Sequence, residues 1–171
     1  MGIHGHHQSP VPAAKPKTQN KNIAKALYKA LARGKLEIVA QLLATDLEWW
    51  YHGPPNCQHM MLMLTGKSRH SNSTDDDDDD DDDEFKFKPR SITSVADLVI
   101  LEGWDELKRC YWVHVWTIKD GAITQFREYF NTWLTVLLQV PEEARKESVR
   151  LWQSEPEQRL NRSLPDLMLA V

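Results

Sequence analysis

Cysteine is scarce. Cys57 and Cys110 are the only two in 171 residues, and they form neither a CxxC pair nor a metal-type spacing. A chain of this length buries a continuous core without covalent staples, so the composition argues against a secreted disulfide scaffold and for a reducing intracellular setting, cytoplasmic and/or nuclear. Long apolar runs are missing too. The start, MGIHGHHQSPVPAAKPKTQNK, has no apolar core of the signal-peptide kind, and no later stretch approaches the ~20 apolar residues of a membrane span. His6 stands where a myristoylation motif wants Ser or Thr. A soluble protein without a membrane partner is expected. There is no nucleophile elbow, no phosphate-cradling glycine loop and no HExxH, so hydrolase, kinase and zinc-peptidase chemistry have no residues to run on. Neither a cofactor nor a metal site is expected.

Positive charge is short as well, but only in the total. The formal net charge of -4 is dominated by Asp75 to Asp83 and Glu84, ten consecutive acids. Setting those aside leaves 15 acids against 21 bases, a mildly basic body carrying one acidic loop. The bases are scattered and show no interleaved arginine and aromatic stripe, so nucleic acid is not an expected partner.

Residues 1–18 hold three prolines and three histidines without apolar periodicity and read as a disordered tail. Nothing rigid there would fix His4, His6 and His7 around a metal ion. The domain is expected over 19–140, interrupted at 67–84 by a disordered acidic loop whose charges repel one another, and followed by a C-terminal extension over 141–171. Ile23, Ala24, Leu27, Tyr28 and Leu31 recur at helical spacing up to a stop at Gly34. A second helix runs through Leu36, Val39, Leu42 and Leu43. NCQHMMLMLTG predicts a third, with Met60, Met63 and Leu64 turned inward and Gly66 as its stop. Pro141-Glu142-Glu143 reads as a helix entry, and the closing SLPDLMLAV as a last strand or extended arm.

In LEWWYH the period changes to two. Leu47, Trp49 and Tyr51 take one face of a short strand and Glu48, Trp50 and His52 the other, until Gly53-Pro54-Pro55 ends it. Aromatic rings on both sides require both faces to be covered. From Phe85 onward β-branched and aromatic residues alternate through three or four antiparallel strands, with Lys119-Asp120-Gly121 as a hairpin turn. Three helices, a strand and then long hairpins make an α+β order with helices on one face of a curved sheet.

LEWWYHGPP, MLTG, WVHVWTIKDGAITQFREYFNT, LWQS and SLPDLMLAV, in that order, resemble the plant wound-induced protein 1 family of the nuclear-transport-factor-2-like and SnoaL-like superfamily. The resemblance covers about residues 20–171 apart from the aspartate loop, and departs from the family at Asp166, where glycine is usual. It implies a cystatin-like cone: a curved antiparallel sheet wrapping three N-terminal helices, open at one end to an apolar cavity and paired into homodimers through the outer sheet face. It also implies a role in wounding, stress and senescence. The superfamily includes ketosteroid isomerase, which works through an Asp base beside a Tyr and a protonated Asp. Matching strands to that pattern puts the base position at or beside Tyr51, which cannot act as a base near neutral pH. His114 falls at the second acid position, and Tyr28 only approximately at the tyrosine.

The same matching turns Trp112, His114 and Trp116, and likewise Phe126, Glu128 and Phe130, to the inside, where Tyr28, Trp49, Tyr51 and Met63 complete a pocket and His52 stands at its mouth. Trp50, Tyr111, Arg127 and Tyr129 face outward, and their exposed rings are the ground for a homodimer. A carboxylate among rings must pair, hydrogen-bond or take up a proton, and His114 is the expected partner of Glu128. The pair can fix sheet register, anchor a ligand or move protons. Three readings follow: a non-catalytic stress-response protein holding a small apolar metabolite, an isomerase or cyclase using His114 and Glu128, or an interaction module with its interior filled.

Overall fold

The computed structural model describes residues 16–67, 87–106, 109–139, 148–155 and 166–171. The expected disordered tail falls largely outside them, as do the aspartate run and the helix entry at Pro141. Helix α1 (Pro16–Ala32) starts earlier than the expected onset at residue 19. Its stripe of Ala24, Leu27, Tyr28 and Leu31 is buried, and Gly34, at φ +61°, turns the chain into α2 (Leu36–Leu42). Strand β1 (Leu43–His52) follows without a loop, so Leu43, expected in the helix, is already extended. The short α3 (His59–Leu64) ends at Thr65 and Gly66.

Four strands complete the first sheet: β2 (Pro89–Val95), β3 (Leu98–Asp105), β4 (Cys110–Lys119) and β5 (Ala122–Phe130). Asp120 and Gly121, at φ +51° and +83°, form the two-residue turn of the β4–β5 hairpin, with Lys119 opposite Ala122. The strand order is β1-β5-β4-β3-β2. The antiparallel expectation needs one correction here. β1 runs parallel to β5, with Trp49 opposite Phe126 and Tyr51 opposite Glu128. It joins the sheet through a long crossover by way of α3 and β2–β4 rather than through a hairpin, and that allows parallel pairing. Register shifts at Leu43/Glu48, Pro89/Ser91 and Thr117/Ile118 bend the strands in the manner of β-bulges.

A second sheet was not foreseen. It contains β6 (Leu134–Leu138), β7 (Val149–Gln153) and β8 (Leu167–Ala170) in the order β7-β6-β8, with β8 parallel to β6. The closing residues thus dock as a strand, while 149–153 are also a strand. The three helices cover one face of the first sheet, where Leu27, Tyr28, Val39 and Met60 pack with Trp112, Trp116, Phe126 and Phe130. On the other face Ile100, Tyr111, Val113, Val115 and Tyr129 pack with Leu134, Val136 and Leu169. This changes the ground for the expected homodimer, because Tyr111 and Tyr129 are covered by the chain's own C-terminal strands. Trp50 is half-buried, with the Arg127 guanidinium 4.1 Å from its ring.

Burial holds the two sheets together at roughly 2 kcal/mol for each enclosed Leu or Val, and a polar latch adds to that. The Tyr111 hydroxyl donates to Glu102 Oε2, Ser91 Oγ donates to Glu102 Oε1 at 2.9 Å, and Arg90 Nη2 donates to the Glu155 carbonyl at 2.8 Å. The Leu134 amide in turn donates to Ser154 Oγ at 3.0 Å. Burial and the Glu102 hydrogen bond raise the Tyr111 pKa, so the phenol remains a donor. Replacing Tyr111 by Phe keeps the ring and strips Oε2 of a buried carboxyl of its donor while Ser91 still serves Oε1, which is expected to cost about 2 kcal/mol in urea denaturation. A loss below ~0.5 kcal/mol would show that the latch contributes nothing beyond packing.

Among the described residues no helix is long and apolar enough to cross a membrane. No group of three or more His, Cys, Asp or Glu among them is placed to hold a metal ion.

Candidate functional site

The β4–β5 hairpin sets His114 directly opposite Glu128, and strand alternation turns both toward the helices. Both are fully buried. His114 Nδ1 lies 2.5 Å from the Tyr28 hydroxyl, which also receives the Trp116 indole N–H at 3.2 Å. An indole can only donate, so the Tyr28 oxygen accepts from Trp116, while a second hydrogen bond joins the same hydroxyl to His114 Nδ1. Aromatic rings enclose the imidazole: Trp112 at 4.5 Å between centroids, Phe87 at 4.7 Å and Phe126 at 5.3 Å. Burial holds its pKa well below the ordinary histidine value, so the ring is neutral.

Glu128 does not take His114 as its hydrogen-bond partner. Its Oε1 stands 3.9 Å from His114 Nε2, beyond hydrogen-bonding distance, and accepts instead from the Met60 amide at 3.2 Å. That amide opens α3, where first-turn N–H groups lack partners within the helix. Burial pushes the Glu128 carboxyl up to about 7, against the opposing pull of the Met60 amide and of the nearby Trp49 indole. The Trp49 Nε1–H itself completes no hydrogen bond. The neighbouring carboxyl was expected to raise the histidine. Instead both groups are driven toward neutrality, because each is removed from water, and at Glu128 this outweighs the pull of the Met60 amide and the Trp49 indole.

The other expected pocket residues divide. Tyr28, Trp112, Trp116, Phe126 and Phe130 are buried on the helix side, with Trp49, Tyr51 and Met63 half-buried against them. Trp116 and Phe126 stack at 3.9 Å. The Tyr51 hydroxyl is turned to the Pro54 carbonyl at 2.6 Å, and a Cβ at Gly53 would come within 2.3 Å of that hydroxyl. His52 is not among them. Its ring stacks on Tyr129 at 4.7 Å, on the face toward the second sheet, as its place two residues from Trp50 on a strand dictates. Phe87 and the Met60 amide were missed. Phe87 had a signal, one apolar residue between two lysines; a backbone donor leaves none.

Comparison with known proteins places this arrangement. A family model described as wound-induced protein WI12 matches residues 61–171. The chain belongs to the wound-induced protein WI12 family. Wound-induced protein 1 of Solanum tuberosum is 37% identical over 91 residues, covering 51% of this chain and 87% of that protein. Senescence associated gene 20 of Arabidopsis thaliana is 36% identical over 96 residues, with the same coverages. Among solved structures, an NTF2-like protein from Burkholderia xenovorans overlays at a TM-score of 0.46 and 17% identity, covering 68% of this chain and 92% of that one. This WI12-family member is thus one of a group of plant wound- and senescence-response proteins. The matched span carries His114, Glu128 and the rings of β4 and β5. Tyr28, Trp49 and Met60 lie before it.

Proposed function

We propose that this WI12-family protein acts in the plant wound and stress response as a non-catalytic receptor for a small, mainly apolar molecule, held between the helices and the first sheet. One observation carries the reading: His114 Nε2 and Glu128 Oε2, both enclosed by aromatic rings and helices, have no hydrogen-bond partner. An unpaired buried polar atom costs about 1–3 kcal/mol. Two such atoms facing one interior are tolerated where a guest supplies their partners. An intracellular site, cytoplasmic and/or nuclear, belongs to the same reading and is supported by Cys57 and Cys110, neither of which is in a disulfide.

A thermal-shift screen against a metabolite library tests it. Because binding to the native state alone stabilises that state by about 2.7 kcal/mol at a hundred times Kd, at least one compound should raise Tm in a concentration-dependent way. A library that leaves Tm unmoved supports the interaction-module reading instead.

Proton transfer is the second reading, favoured by a carboxyl that titrates near 7 beside a neutral imidazole. The two separate at Glu128→Gln. Turnover of any substrate vanishes in an enzyme, whereas a receptor keeps most of its affinity.

A further inference from the structure

Scattered in the sequence, five bases line up once α1 forms. Lys17, Lys21, Lys25, Lys29 and Arg33 recur at every fourth position, from the first turn of α1 to the residue just past its end. Residues four apart are neighbours on a helix, so the bases make one ridge about 24 Å long at 1.5 Å per residue. Four of them are exposed and Lys21 is half-buried. α1 contains neither Asp nor Glu, and among the described residues no carboxylate forms an ion pair with any of the five. Like charges at this spacing repel, so the ridge by itself works against its own helix. The acids stand elsewhere in the chain, ten in a row at 75–84. Residues 68–86, which contain them, lie outside the described residues, but the described chain on either side of them borders α1. At the leaving end a Cβ at Gly66 would lie 3.4 Å from Leu36 Cδ1, three residues past Arg33. At the other end Phe87 belongs to the buried cluster that includes Ala24, Leu27 and Tyr28, and β2, into which it leads, packs against α1.

We propose that the acidic run at 75–84 docks along the basic ridge of α1 in the same chain and supplies its counter-charge. Ten extended residues span about 33 Å at ~3.3 Å each, enough to follow a ridge of about 24 Å. Three residues separate Glu84 from Phe87, so connectivity holds the end of the run within about 11 Å of Phe87. A single exposed ion pair contributes little, but five bases facing ten acids form a network. Joining the two through one chain gives the contact an effective concentration on the order of mM. Because the ridge is exposed, the contact is sensitive to salt: charges act over about 30 Å at 0.01 M and about 3 Å at 1 M. Docking also reverses what the α1 lysines do to stability. Alone they repel one another, whereas with the run in place each is attracted to it.

The test uses the full chain, mixed in equal parts as unlabelled and nitrogen-15-labelled protein and treated with a carbodiimide, which joins a carboxylate directly to a lysine amine. Tryptic mass spectrometry then reads the links. At about 0.01 M salt residues 75–84 are expected to join Lys17, Lys21, Lys25 and Lys29 within single chains, light to light or heavy to heavy, and the yield should fall about tenfold at 1 M. Links confined to Lys67 and Lys88, the neighbours that tethering alone supplies, overturn the docking, and so does a yield indifferent to salt. Light-to-heavy links at the frequency of random mixing give the ridge to the run of a second copy and overturn it as well. Thermal unfolding at low salt gives an independent reading. Lys17, Lys21, Lys25 and Lys29 are all replaced by Gln, whose helix propensity is close to that of Lys, once in wild type and once with the nine aspartates at 75–83 replaced by Asn. In wild type Tm should fall by about 3 °C. In the Asn background it should rise, because only repulsion is left to relieve. A change of the same sign in both backgrounds overturns the proposal.

Discussion

Glu128→Gln is expected to stabilise the protein relative to wild type progressively as pH rises from about 4.5 to about 7, and His114→Gln is expected to do the opposite. The folded Glu128 carboxyl titrates near 7 against an ordinary 4.5. A raised folded pKa contributes stability that is whole below 4.5 and lost as pH climbs through 7, an amount of about 3 kcal/mol at 1.36 kcal/mol per unit. Removing that carboxyl removes the loss. His114 is lowered from 6.5, so its contribution is present above 6.5 and lost as pH falls toward its folded value. Within the shared window the unfolded chain holds one proton on imidazole and the folded chain one proton on carboxyl. The two slopes offset in wild type and separate only in the single variants. Urea denaturation of the three proteins at several pH values reads this directly. Parallel curves would show that the pair is not neutralised by folding.

Gly103→Ala is expected to cost about 3 kcal/mol, at the upper end for an overpacked core. Gly103 lies opposite Trp112 on adjacent strands, and a Cβ there would come within 2.3 Å of Trp112 Cζ2 and 2.8 Å of the Lys88 carbonyl oxygen. The bare backbone of β3 is the bed on which the Trp112 ring lies, and that ring in turn rests against Phe87 and His114. Displacing it disturbs the imidazole as well. Pairing Gly103→Ala with Trp112→Leu should recover part of the loss, since the ring contact is relieved while the carbonyl contact remains. An unchanged midpoint in Gly103→Ala alone would mean that the strand shifts freely.

The readable parts of this fold were those written in local periodicity. The stripe through Leu27, Tyr28 and Leu31, the alternation of Trp112, His114 and Trp116, and the Asp120-Gly121 turn each follow from neighbours within a few positions. What stayed hidden depends on distant segments. The direction of β1 is set by which strand it meets, and the cover over Tyr111 and Tyr129 comes from short strands whose alternation is weak. At the site, facing residues gave the proximity of His114 and Glu128 but not their hydrogen bonds. Tyr28 reaches His114 from a helix 86 positions away, and Glu128 is held by a main-chain group that any residue at 60 would supply.

The parallel partnership of β1 also orders events during synthesis. Glu48 accepts from Gln125 across 77 positions, and among the described residues no nearer strand takes its place. Until residues 122–130 have emerged from the ribosome, Trp49, Trp50 and Tyr51 have no sheet to join, and the nascent chain carries an unsheltered aromatic segment of the kind that chaperones hold.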